Sequence, residues 1–168
     1  MTKWMIRGVL AASLLVFGLQ GQAQAQVSES TVEAVGFVGA VTDNLGTTFG
    51  GGMHFGSRRL IFSAEVGYLT LEGQDTSGLS IDLDANYLFP LANRPKLTPY
   101  ILGGLGILRF NVSVPGDDIS DTDTGLNLGG GLRYQAGANW GIRPEVKFLV
   151  HDDTATRFTI GVYYSFGN

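Results

Sequence analysis

Residues 157–166 restrict the fold more than any other part of the chain, because apolar and polar side chains alternate there without a break. Phe158, Ile160, Val162, Tyr164 and Phe166 share one face of an extended chain, and Arg157, Thr159, Gly161, Tyr163 and Ser165 share the other. A period of two belongs to a strand with unlike faces. The pattern recurs. Trp140, Ile142, Pro144, Val146, Phe148 and Val150 alternate with Gly141, Arg143, Glu145, Lys147 and Leu149. Leu79, Ile81, Leu83, Ala85, Tyr87 and Phe89 alternate with Ser80, Asp82, Asp84, Asn86 and Leu88. Shorter runs of the same kind occupy 62–68 and 126–135. Three weaker runs lie near 31–41, 47–57 and 98–112, and the first does not distinguish its own faces. Turn-forming residues at 43–46, 56–59, 74–78, 93–95, 115–123, 137–139 and 151–153 separate these runs. Seven connections imply eight strands of about 10 to 15 residues, enough for tilted strands to cross a bilayer.

The N-terminus reads as an address. Lys3 and Arg7 precede an apolar stretch over 8–19, and Ala23-Gln24-Ala25 supplies the small-x-small cleavage pattern. These are the three parts of a secretory signal peptide, so residues 1–25 are expected to be removed and 26–168 to form one domain. The apolar stretch is short for a membrane-spanning helix, which needs roughly 20 residues. The chain has no cysteine, which excludes disulfides, thiolate metal sites, thiol catalysis and a lipidated N-terminus. Net charge is −4 and no Lys/Arg cluster exists of the kind that grips nucleic acid. Charged residues make up only 15%, against about 25% in soluble domains. Glycine, at 25 of 168 residues, is about twice its usual share, and it sits inside apolar, aromatic-rich runs. No glycine-rich segment has phosphate-cradling spacing before a helix.

An eight-stranded barrel with alternating faces can be soluble or membrane-embedded, and the distribution of charge decides between them. The polar face carries Glu65, Asp82, Asp84 and Glu145 together with Arg109, Arg133, Arg143, Lys147 and Arg157, interspersed with glycine and asparagine. Small residues and matched charges suit the lumen of a narrow barrel, where each charge needs a partner. The aromatics fall into two groups along the meander. Phe55, Phe62, Phe89, Tyr100, Tyr134, Trp140 and Phe166 lie at one end, and Phe49, Tyr68, Phe110, Phe148 and Phe158 at the other. Two such girdles mark the two membrane–water interfaces of a transmembrane barrel. A soluble periplasmic barrel binding an apolar ligand is the competing architecture, and it requires the apolar face inside.

With these strands in place, the chain resembles the small outer-membrane β-barrel domain family, which includes the membrane part of outer membrane protein A, outer membrane protein X and opacity-type surface proteins. The resemblance covers most of residues 30–168. Its most specific part is the C-terminal assembly pattern, polar-x-Gly-x-x-aromatic-x-aromatic, which Thr159, Gly161, Tyr164 and Phe166 match. Gly167 and Asn168 follow, whereas the family's chains usually end on the aromatic. Pro99-Tyr100 before Gly103-Gly104, and Asn139-Trp140-Gly141 before Arg143, are also similar to the family. The resemblance implies a monomeric antiparallel up-and-down barrel in the bacterial outer membrane. Its partners are then outer-membrane lipid and, during biogenesis, periplasmic chaperones and the barrel-assembly machinery. It also implies periplasmic termini, periplasmic turns near 57–59, 90–97 and 136–139, and outer connections near 42–47, 72–78, 113–123 and 151–155. No peptidoglycan-binding domain is expected.

Catalytic and cofactor residues are not expected. Asp117, Asp118, Asp121 and Asp123 form an acidic stretch that is a weak metal candidate, since Ca²⁺ needs six to eight oxygen ligands and no EF-hand-like loop is present. A solvated acidic tip accounts for it better. His54 and His151 are the only histidines, and neither sits in the His-x-Ser-Asn pattern of lipid-modifying outer-membrane enzymes, so that reading ranks last. His54 is expected in the lumen. Eight strands leave an interior that side chains fill, so the expected function is a non-enzymatic barrel serving envelope integrity or surface interaction.

Overall fold

The computed structural model describes residues 30–42, 46–70, 76–114, 117–150 and 154–166, and side chains for all of these except 76 and 110–121. Eight strands follow in chain order: β1 (Thr31–Val41), β2 (Gly46–Gly56), β3 (Leu60–Thr70), β4 (Thr76–Leu88), β5 (Leu97–Val114), β6 (Asp117–Gln135), β7 (Trp140–Val150) and β8 (Ala155–Ser165). Each pairs antiparallel with its neighbour, and β1 closes onto β8 from Glu33↔Ser165 to Val41↔Arg157. Closure leaves the shared body of the barrel without an open edge, which a hydrocarbon environment demands.

The apolar face points outward. Val38, Phe49, Phe62, Leu83, Ile101, Leu105, Leu126, Leu128, Ile160 and Val162 are all exposed. The polar face points into the lumen, where Glu65, Asp82, Asn127, Lys147 and Arg157 are almost wholly buried. This is the reverse of a soluble ligand-binding barrel and removes that alternative. No helix among the described residues is long and apolar enough to cross a membrane.

Both girdles stand on the outer surface, and among the described residues Tyr100 alone of the expected members is placed elsewhere. Phe55, Phe62, Tyr87, Phe89, Tyr134, Trp140, Tyr164 and Phe166 ring the terminal end, where β1 begins and β8 ends. Phe49, Tyr68, Phe148 and Phe158 ring the opposite end, and the Phe49 and Tyr68 rings lie 5.5 Å apart. Tyr100 is not in the girdle: it points inward and is buried. The Phe110 side chain lies outside the described residues. A second difference from the sequence reading concerns the connection expected at 113–123. There 113–114 and 117–123 are strand, because β5 and β6 continue as a ladder to Val114↔Asp117. The β6–β7 ladder extends only to Leu126↔Val150, so β6 and its hairpin run past β7, while β4 accompanies β5 as far as Thr76↔Val112.

β1, whose faces the sequence leaves open, turns Glu33, Val35 and Phe37 inward. Phe37 is a large ring for a narrow lumen, and glycines make its room. It pairs with Gly50 on one side and Gly161 on the other. A Cβ on Gly50 would stand 2.7 Å from Phe37 Cζ, and one on Gly67 would stand 2.6 Å from Ser80 Oγ. Gly161, on the other side of Phe37, is less crowded: a Cβ there would stand 3.5 Å from Phe37 Cβ, an ordinary contact, and 3.2 Å from Gly36 O.

Candidate functional site

The lumen holds a continuous network of charged side chains that spans β1 to β8. Nearest the terminal end, Arg133 Nη2 donates to both carboxylate oxygens of Glu33, at 2.6 and 2.8 Å. Ser165 Oγ adds a third hydrogen bond to Glu33 at 2.9 Å. The Arg133 guanidinium also lies 4.1 Å from the centroid of the Tyr163 ring, a cation–π contact.

The middle tier centres on Glu65 and Arg143, which are ion-paired. His54 sits between them, with Nε2 3.0 Å from Glu65 Oε1 and 2.9 Å from Arg143 Nη1. Its Nδ1 lies 3.7 Å from Glu33 Oε2, linking this tier to the first. Arg143 also reaches Glu145 at 3.3 Å, and Tyr100 donates its hydroxyl to the same Glu145 at 2.7 Å. Lys147 joins the middle tier to the last. Its Nζ is 2.6 Å from Asp84, 3.6 Å from Glu65 and 3.8 Å from Glu145.

In the last tier Arg157 pairs with Asp82 at 2.9 Å and donates to Ser80 Oγ at 3.3 Å. The Asn127 amide nitrogen donates to Asp82 and to Asp84, each at 2.8 Å. That bridge holds the two carboxylates together with donors an aspartate could not supply. Apolar side chains fill the space the network leaves. Ile61, Leu88, Tyr100 and Leu102 cluster near the terminal end, and Val41 and Leu69 are buried toward the other.

Of the nine charges expected in the lumen, eight are there: Glu65, Asp82, Asp84, Arg133, Arg143, Glu145, Lys147 and Arg157. Arg109 is not. It lies on the odd-numbered face of β5 with the exposed Ile101, Leu105 and Ile107, and is itself exposed. The parity of β5 is fixed by Tyr100 and Leu102 turning inward, which sends Arg109 outward.

The network also takes in Glu33, His54, Tyr100 and Asn127, with Ser80 and Ser165 hydrogen-bonded to it. His54 stands in the lumen as its place in the sequence suggests. Glu33 is a carboxylate at the start of an otherwise apolar run, and the cost of exposing it to lipid was the signal that could have placed it. The C-terminal pattern splits by face. Thr159 and Gly161 point inward, Tyr164 and Phe166 outward, and the last two rings pack edge to face at 5.3 Å.

The side chains of Asp117, Asp118 and Asp121 lie outside the described residues, as do His151, Asp152 and Asp153. Asp123 is half-buried on β6. Among the described residues no three His, Asp or Glu converge to hold a metal ion. The ring nitrogens of His54 are engaged by two carboxylates and a guanidinium. A hydrolytic triad would need a nucleophilic hydroxyl in that place.

A closed barrel with an apolar exterior, two aromatic girdles and a charged, filled interior is an integral outer-membrane protein. The chain belongs to the family described as "Outer membrane protein beta-barrel domain", which matches residues 9–166. No curated protein sequence matches the chain. Among solved structures it is similar to the N-terminal β-barrel domain of Pseudomonas aeruginosa OprF, at 21% identity and a TM-score of 0.69, covering 84% of this chain and 100% of that one. Neisserial surface protein A is similar at 18% identity and a TM-score of 0.69, covering 83% and 98%. Ail, the attachment invasion locus protein of Yersinia pestis, is similar at 18% identity and a TM-score of 0.61, covering 84% and 100%. At these identities the likeness is one of fold.

Proposed function

We propose that the protein is a non-enzymatic, plugged structural barrel that contributes to the integrity of the outer membrane and carries the β5–β6 hairpin on its outer side. The observation that supports this most is the lumen itself. Five carboxylates and four cations interlock from Glu33 to Arg157, with Asn127 and Tyr100 bonded into the same network. Buried charges held by several partners form a rigid plug rather than a water-filled path. In this reading the terminal end faces the periplasm and the acidic β5–β6 hairpin faces outward. The barrel inserts as a monomer, delivered by periplasmic chaperones to the barrel-assembly machinery through Thr159, Gly161, Tyr164 and Phe166.

Planar-bilayer recording from the purified, folded barrel tests the plug. The expected trace stays at baseline, without sustained stepwise openings. Long-lived openings typical of a water-filled pore would overturn the reading.

The first 25 residues act as a secretion signal in this reading. N-terminal sequencing of protein recovered from outer-membrane fractions is expected to begin at Gln26. Recovery of the intact Met1 terminus would show instead that the apolar stretch is retained.

A further inference from the structure

Outside the lumen, the cations are not scattered. Of the eleven Lys and Arg in the chain, Lys3 and Arg7 lie in the N-terminal segment, four fill the lumen, and Arg109 stands on β5. The remaining four, Arg58, Arg59, Arg94 and Lys96, occupy only two turns, β2–β3 and β4–β5. Those turns are neighbours at the terminal end of the barrel. Leu60 pairs with Tyr87 where β3 meets β4, and Leu88 N donates to Arg59 O at 2.8 Å. Hydrogen bonds from Ser57 N to Leu60 O and from Leu97 N to Arg94 O fix the turns themselves. The four side chains are exposed, and no acidic side chain pairs with any of them among the described residues. Neither turn contains an acid, and the β6–β7 turn at 136–139 carries no charge at all. The positive charge is therefore confined to one sector of the rim.

The level of this patch identifies what it meets. Arg58 and Arg59 follow Phe55 by three and four residues, and Arg94 and Lys96 follow Phe89 by five and seven. Leu60, the first residue of β3, and Leu91, in the β4–β5 turn, are exposed apolar side chains. Aromatic, aliphatic and basic side chains at one height are the composition of a membrane interface, where long cationic side chains reach the headgroups. Arg58 and Lys96 also line, with Arg133, a polar cavity of about 300 Å³ at the barrel mouth, so the patch curves from the outer wall over the rim.

We propose that these two turns form a binding site for anionic phospholipid, with Arg58, Arg59, Arg94 and Lys96 gripping headgroup phosphate while Leu60, Leu91 and the adjacent girdle rings hold the acyl region. Guanidinium groups match phosphate oxygens in paired hydrogen bonds, and juxtamembrane cations gain from a negatively charged leaflet. The site would fix the height and tilt of the barrel on that side. It rests on the placement of the terminal end toward the periplasm, the side on which an outer membrane carries phospholipid.

The test uses the folded, full-length mature barrel in nanodiscs of phosphatidylcholine and phosphatidylglycerol with identical acyl chains. Lipids retained after mild detergent extraction are counted by native mass spectrometry. The wild type is expected to retain phosphatidylglycerol at least several-fold over its share in the disc. The variant carrying R58Q, R59Q, R94Q and K96Q is expected to lose that enrichment, and Arg109→Gln to keep it. A fast-migrating unboiled gel band confirms that each variant is folded. Equal enrichment in the fourfold variant overturns the proposal. So does displacement of the lipid by millimolar inorganic phosphate, which would make the site one for free phosphate. In these symmetric discs neither result bears on whether the lumen conducts or which way the barrel faces.

Discussion

Ile160→Arg should prevent the chain from assembling as a barrel in membranes or detergent. Ile160 is 62% exposed on the outer face of β8, paired with Val38 and Pro144. It lies between Phe158 of one girdle and Tyr164 of the other. An arginine at the bilayer midplane costs about 2–4 kcal/mol on a barrel's lipid face. Total stabilities are about 5–15 kcal/mol, so this is a large share of what holds the barrel together. The measurement is the unboiled gel shift together with recovery in outer-membrane fractions, and both should be lost. Ser165→Arg is the matched control on the same strand. Ser165 is half-buried at the open mouth and bonded to Glu33, so a cation there meets a carboxylate instead of hydrocarbon. Thr159 would be a poor control because it is buried in the packed lumen, against Gly39 of β1. Equal loss at Ile160 and Ser165 would mean that the even-numbered face of β8 is not the lipid face.

Most of this architecture was legible because one rule, period-two alternation, operates wherever lipid and lumen demand opposite chemistry. β3, β4, β7 and β8 put charge or small polar groups on one side and aliphatics on the other, and their facing follows at once. The rule fails where the lumen is itself apolar. In β5, Tyr100 and Leu102 point inward while Ile101 and Leu105 point outward, so both faces look alike. Tyr100 then reads as a girdle residue and Arg109 as a lumen charge, and both are reversed. β1 is ambiguous for the same reason, with Val35 and Phe37 inside and Val38 outside.

The partners within the network were less legible than its membership. Which acid meets which base depends on stagger between strands far apart in sequence, as in Glu33 and Arg133 across the lumen from β1 to β6. Alternation sets the side a residue faces, and only barrel closure sets the level at which it meets its partner. The acidic stretch at 117–123 looked like a loop because aspartate and serine favour turns, yet ladder pairing with β5 carries it as strand.

Lys147→Met should destabilise the barrel by about 3–5 kcal/mol, because it strands a buried carboxylate. Lys147 is 1% exposed and is the one cation within reach of Asp84 among the described residues. Glu65 and Glu145 keep Arg143 when the ammonium is gone. Asp84 keeps only the Asn127 amide at 2.8 Å. Methionine preserves most of the side chain's volume, so the loss reports charge rather than a cavity. Adding Asp84→Asn to the same chain removes the stranded charge and leaves an amide oxygen that still accepts from Asn127. The double variant should therefore regain more than half of the lost stability, since replacing a whole buried pair by neutral groups is often close to harmless. Urea unfolding in detergent micelles, followed by tryptophan fluorescence and the unboiled band, measures both. A double variant as unstable as Lys147→Met alone would show that Lys147 acts through packing or through Glu65 and Glu145, and the Asp84 pair would no longer be the joint between the middle and last tiers. Recovery would show that the tiers are held by a specific pair of opposite charges, which is what a plug needs if it is to stay closed while the barrel wall flexes with the membrane.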